Sequence, residues 1–298
     1  MTAPVPPGRA RPAFGIVAIA VATILAACGG SIGDAKLRLQ AGEALARWAD
    51  AVAAAGGAAV VPVGDLTRQV GNWEEVVGDN NKRALFAGLV EVAGNIPPGS
   101  PGDGEVVWQD GTTSIVPLFS AEQAVLEIRA VASAPCPDCD PLRIVDARLT
   151  TGEVETSRGP ATAPVWEFTV DGTAVKLTHV AVGNRVVVVP PPWNENDPPV
   201  GIWLDLARGA VGSSELTVEF TGSPLPGDQS CGEDYSAQAV ESELAVVVIV
   251  HRHPALTLGG CTGVGARRTA VAHLAAPLGD RTVLQVYDGT PVRVALSP

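Results

Sequence analysis

The sequence predicts an α+β protein, a β-rich body on antiparallel sheets with its helices mainly in the N-terminal half. Three observations predict it. Apolar residues recur at spacings of three and four over residues 35–55 and again after Ser120. From residue 142 onward the chain is a series of short β-branched runs bounded by Gly, Pro, Asn and Asp. Between two groups of these runs lies the stiff segment PPPWNENDPP at 190–199.

Residues 1–27 have the three parts of an export signal. Arg9 and Arg11 form a positive start, and no acidic residue precedes Asp34. Residues 13–27 are uncharged and mostly apolar, a length suited to a signal and short for a bilayer span. The string Leu25-Ala26-Ala27-Cys28 resembles the bacterial lipobox. That resemblance implies diacylglyceryl transfer to the Cys28 thiol, cleavage before it, and a second acyl chain that makes the anchor stable. Residues 28–34 then form a lipidated tether spanning at most ~20–25 Å.

A helix is expected over 35–55, where Leu37, Ala41, Leu45, Trp48 and Val52 share a face and Gly56-Gly57 ends the run. A short strand is expected at 58–62. Residues 84–92 fit helix or strand, and the strand reading is preferred because Gly88 lies inside them. Residues 105–108 and 113–118, joined by Asp110-Gly111, predict a hairpin. Ser120 with Gln123 forms a capping box, so a helix should begin at Ala121 and end near Ser133. Strands are expected at 142–149, 165–170, 176–182 and 185–189, and beyond the proline-rich segment at 201–206, 215–221, 243–251, 268–274, 282–287 and 292–296. The run 244–250 is apolar at nearly every position, so parity does not separate a buried central strand from an assembly interface. The expected organisation is a signal (1–27), a tether (28–34), an α+β domain (35–189), a linker or loop (190–199) and a β-rich domain (200–298).

Composition excludes several function classes. The 298-residue chain is 46% apolar with net charge −12, and losing Arg9 and Arg11 with the signal takes it to about −14. Such a body is repelled by nucleic acid and by anionic lipid, so its fatty acids and not its charge must hold it at a membrane. No cofactor motif is present: Gly263-Val264-Gly265 lacks the following helix that a nucleotide loop needs. There is no G-x-S-x-G, and the carboxylate pairs Glu74-Glu75 and Glu233-Asp234 read as solvated loop residues.

With Cys28 committed to lipid, four cysteines remain: Cys136, Cys139, Cys231 and Cys261. An even set outside the cytoplasm favours disulfides, and local pairing gives Cys136–Cys139 and Cys231–Cys261. Chain entropy assigns about 2 kcal/mol to the first and about 3.5 kcal/mol to the second. The other two pairings and a four-thiol zinc site stay open at this level. The Cys136-Pro137-Asp138-Cys139 string lacks a redox motif's following helix, and Asp138 and Asp140 oppose a thiolate. His251 and His253, two apart on a strand, share a face and are candidate metal ligands, with His179 or His273 as third. Six Trp against two Tyr is unusual. Trp48, Trp108 and Trp166 lie in periodic elements and read as core, whereas Trp193 and Trp203 flank the proline-rich segment and are candidate contacts to a ligand or partner.

The runs TSRGPATAPVWEF (156–168), PPPWNENDPPVG (190–201), CGEDYSAQAVES (231–242) and APLGDR (276–281) resemble an uncharacterised lipoprotein family of high-GC Gram-positive bacteria. The resemblance implies export and supplies no active site. The expected role is a non-enzymatic binding or interaction module of the cell envelope, held on the outer face of the cell membrane through lipid on Cys28 and meeting a glycan or protein there. An envelope hydrolase with a site assembled from distant residues is the alternative, and a metal-binding lipoprotein a further one.

Overall fold

The computed structural model describes residues 32–57, 60–73, 80–256 and 259–297. The expected signal, Cys28 and residues 29–31 of the tether lie outside the described residues, as do Glu74 and Glu75. The fold is α+β and β-rich with mainly antiparallel sheets.

The first half is one seven-stranded sheet with two helices. Its strands are β1 (Thr67–Val70), β2 (Val90–Asn95), β3 (Asp103–Trp108), β4 (Thr113–Pro117), β5 (Leu142–Thr156), β6 (Gly159–Val170) and β7 (Lys176–Val180). The long strand β6 organises it. One edge pairs with β5 over its full length. The other is shared: Ala161 and Thr162 pair with β3, and residues from Val165 onward pair with β7. Helix α3 (Ala121–Ala130) begins where its cap predicts, with Ser120 Oγ accepting from the Gln123 amide at 3.2 Å. It buries Ala121, Ala124, Val125 and Ile128, spaced for one helical face, in a core with Phe168, Trp166 and Leu177.

The second half carries β8 (Leu204–Ala210), β9 (Glu215–Gly222), β10 (Glu233–Glu241), β11 (Ala245–Pro254), β12 (Ala266–His273), β13 (Thr282–Gln285) and β14 (Val294–Ser297). They form a three-stranded sheet, β10-β11-β13, and a four-stranded sheet, β12-β9-β8-β14. Strand β11 is the centre. Val246, Val248 and Val250 face the four-stranded sheet and pack with Leu216, Val218 and Phe220. Ala245, Val247 and Ile249 point the other way and meet Trp48, Ala41, Ala44 and Val52 of helix α1 (Ile32–Ala55). Apolar side chains at every position are thus explained: β11 is covered on both faces, by a sheet and by a helix. Helix α1 packs mainly on the second half, with only Val61 and Val186 of the half that follows it in sequence buried in the same cluster.

Several sequence expectations are corrected. Residues 84–92 divide into the end of helix α2 (Asn80–Phe86), a turn at Gly88 with φ +67°, and the start of β2. Helix α3 stops at Ala130, before Ser133. The 58–62 strand reduces to isolated bridges at Val60 and Pro62, with 58–59 outside the described residues. Residues 185–189 form no strand; only Arg185 bridges, to Val60. Strand β10, whose inward residues Tyr235, Ala237 and Ala239 alternate with polar ones but are mostly small, was not expected.

Both local cysteine pairs are formed, with Cα–Cα distances of 5.4 Å for Cys136–Cys139 and 5.6 Å for Cys231–Cys261. The first closes a turn after α3. The second ties the β9–β10 connection to the β11–β12 connection.

Candidate functional site

A cavity of about 520 Å³ opens where those two connections meet, beside the Cys231–Cys261 bridge. Its size suits a small ligand. Its apolar wall includes Ile202, Leu225, Pro254 and Val264, and its polar wall is built on Tyr235. Glu233 and Tyr235 are two apart on β10 and share a face, and Arg252 stands opposite Tyr235 on β11. The Tyr235 hydroxyl donates to Glu233 Oε2 at 2.6 Å and accepts from the Ser223 amide at 2.7 Å. Arg252 donates through Nε to Glu233 Oε2 at 3.0 Å and through Nη2 to Oε1. Arg268 lies over the Tyr235 ring at 5.3 Å and donates to the carbonyls of Ser223 and Glu233. Phe220 closes the other side of the ring edge-on at 4.9 Å.

The Arg252 hydrogen bond is the main reason the Glu233 carboxyl sits below the usual carboxylate range. Burial, reinforced by Glu233, pushes the Tyr235 phenol up. Glu233 is therefore not the solvated loop residue expected from sequence: its side chain is 13% exposed and its charge is spent on Arg252. A carboxylate held ionised by a bidentate guanidinium is a poor proton carrier. Among the described residues lining the cavity there is no histidine and no free thiol. The arrangement can hold a ligand against apolar walls and backbone; it lacks an activated nucleophile.

A second constellation lies in the first half. His179 on β7 stands directly across from Thr67 on β1. Its Nδ1 is 2.8 Å from Thr67 Oγ1 and its Nε2 is 3.1 Å from Glu127 Oε2 on α3. Arg185 also binds that carboxylate oxygen, donates to the Val182 carbonyl at 2.5 Å, and stacks over Phe119 at 4.9 Å. Burial is the largest influence on His179 and holds its pKa below the ordinary imidazole value, so the ring is neutral. Burial of Glu127 is outweighed by His179 and Arg185 together, and its pKa is lowered. A hydroxyl, a neutral imidazole and a carboxylate in series have the connectivity of a nucleophilic relay. Access is missing: His179 is 1% exposed. Sequence reasoning missed this cluster because Thr67, Glu127 and His179 lie far apart in the chain, and a lone His on a strand carries no spacing signal.

The remaining candidates are spread apart. His251 Nδ1 meets Asp34 at 3.1 Å and His253 Nε2 meets Ser236 at 2.8 Å. His179 belongs to the cluster above, and His273 lies 3.6 Å from Glu215. Among the described residues no group of three His, Cys, Asp or Glu is placed to hold a metal. Trp48, Trp108 and Trp166 are buried, as is Trp73, whereas Trp193 and Trp203 are 64% and 52% exposed. Among the described residues no helix is long and apolar enough to cross a membrane. Comparison with protein-family models, curated proteins and solved structures finds no match to this chain.

Proposed function

We propose that this chain is an exported lipoprotein, anchored through Cys28 on the outer face of the cell membrane, that acts as a non-enzymatic binding module of the cell envelope. The cavity beside Cys231–Cys261 supports the binding role. Glu233 and Arg252 neutralise one another in it, and an apolar wall faces the polar wall built on Tyr235. Titration of the purified body with envelope glycan fragments and with extracted membrane lipids tests this, read by thermal shift. A ligand from one class should raise the midpoint of the wild type and leave Tyr235→Ala unshifted. No shift with either class counts against the reading. The anchor is tested by Cys28→Ser, which should release the protein or leave its signal uncleaved with folding intact. A Cys28→Ser form that stays membrane-bound with its signal removed overturns it.

An envelope hydrolase is the second reading, and the Thr67–His179–Glu127 series is what favours it. It requires an opening that exposes His179. Ester hydrolysis by the wild type that disappears in both Thr67→Ala and His179→Gln would support it; activity unchanged by either substitution would sink it.

A further inference from the structure

We propose that the segment 190–203 rests in the headgroup region of the membrane to which Cys28 is attached, with Trp193 and Trp203 as its contacts. This rests on the anchor reading above. The first support is where the segment is fastened. Lys36 Nζ donates to the Pro198 carbonyl at 2.7 Å and pairs with the Asp197 carboxylate. The Gln40 side chain bonds the Val200 backbone in both directions, at 3.1 and 3.0 Å. The segment is thus strapped to the first turns of α1.

The second support is distance. Ile32, where α1 begins, is four residues beyond Cys28, a span of at most ~14 Å. Lys36 is one helical turn further, ~6 Å along the axis. The two fastening points, Lys36 and Gln40, therefore lie within ~20 Å and ~26 Å of Cys28 along the chain.

The third support is the side chains. The chain buries Trp48, Trp73, Trp108 and Trp166 to 4% exposure or less, yet leaves Trp193 at 64% and Trp203 at 52%. Val189, just before the segment, is 76% exposed, and Leu39, in the same turns of α1, is 64% exposed. Indole rings favour the boundary between water and hydrocarbon, where the ring is buried and its N–H stays hydrated. The acidic body, with Glu195 and Asp197 in the segment itself, selects an uncharged or zwitterionic headgroup layer over an anionic one.

The distribution of tryptophans supplies the test. The mature acylated protein is reconstituted into phosphatidylcholine vesicles whose acyl chains carry bromine just below the glycerol. Bromine quenches only indoles that enter the interface, so the four buried tryptophans act as an internal reference. The expected result is partial quenching. Trp193→Phe should reduce the quenched fraction by half or more, and Trp193→Phe with Trp203→Phe should abolish it. Both sites are exposed, so the substitutions leave the fold intact, and circular dichroism checks this. Unquenched emission from protein whose mass shows an acylated Cys28 overturns the contact and leaves the anchor standing. A Cys28 without acyl groups overturns both. Emission that responds to soluble peptidoglycan fragments and not to brominated lipid overturns the contact in favour of glycan stacking.

Discussion

Glu127→Ala should destabilise the protein by about 2–3 kcal/mol, less than the ~3–5 kcal/mol for a fully buried ion pair because the Glu127 side chain is 27% exposed. The structure gives the reason. One carboxylate oxygen of Glu127 receives both His179 Nε2 and Arg185 Nη2. The Arg185 side chain is 5% exposed, and its Nε is buried without a hydrogen-bond partner. Without Glu127 the guanidinium keeps only the Val182 carbonyl and the Phe119 ring. The loss should therefore come from a stranded charge and not from missing packing. Urea unfolding at pH 7.5, followed by tryptophan emission and far-UV circular dichroism, measures it. The control is Glu127→Leu with Arg185→Met, which removes both charges and should recover all but about 1–2 kcal/mol. A single-variant loss below about 1 kcal/mol, or a double variant as unstable as the single, refutes the reasoning. The pH dependence follows with its sign. His179 and Glu127 both have folded pKa values below their ordinary 6.5 and 4.5. A group depressed on folding gives stability that is full above its unfolded value and is lost as pH falls through the folded one. Stability should decline below pH 6.5 as the unfolded chain takes a proton at His179, and decline again below pH 4.5 through Glu127. His179→Gln should remove the first decline alone.

Three further outcomes are expected. Cys231→Ser with Cys261→Ser should cost about 3.5 kcal/mol in urea unfolding and open the connections around the cavity to protease; an unchanged midpoint contradicts this. Gly94→Ala should cost about 2–4 kcal/mol, because its Cβ would stand 1.9 Å from the Val145 carbonyl oxygen at the β2–β5 irregularity, and backbone there must shift. A thermal midpoint within error of wild type would show that the two strands separate freely. Trp48 is fully buried with its indole N–H unpaired, so Trp48→Leu trades lost area against a relieved polar group and should cost about 1–2 kcal/mol, less than the 3–5 kcal/mol usual for a core Trp truncated to Ala.

What the sequence disclosed and withheld follows from the range of the forces involved. Local determinants were legible. The Ser120 cap, the Asp110-Gly111 turn, the helical spacing of Leu37 to Val52 and the two short cysteine separations act over a few residues, and each has its counterpart in the fold. Determinants that depend on what lies across a sheet were not. Every residue of 245–250 is apolar because two different layers cover β11, and nothing in the run says that one layer is a helix two hundred residues away. The run at 185–189 has the residues of a strand and no neighbour to pair with beyond Val60. Strand β10 pairs along its whole length with β11, and its period-two signal rests on Tyr235 and two alanines, side chains too small to stand out along the chain. The candidate site divides the same way. The exposure of Trp193 accords with its proline-rich surroundings, whereas that of Trp203, inside an expected strand, is seen only in the fold. The ion pair of Glu233 with Arg252 and the Thr67–His179–Glu127–Arg185 cluster depend on register between strands and could not be read along the chain.

The covering of β11 by α1 has a consequence for how the molecule is made. Synthesis delivers α1 well before the strands it seals, β11 and β13, which follow it by about two hundred residues. Throughout that interval the apolar stripe of Trp48 and Val52 has only Val61 and Val186 of its buried partners to meet, and closing so long a loop is slow as well as entropically costly. A nascent chain truncated before Ala245 would therefore carry a helix whose main docking surface is missing, a ready target for a holding chaperone until the C-terminal strands arrive.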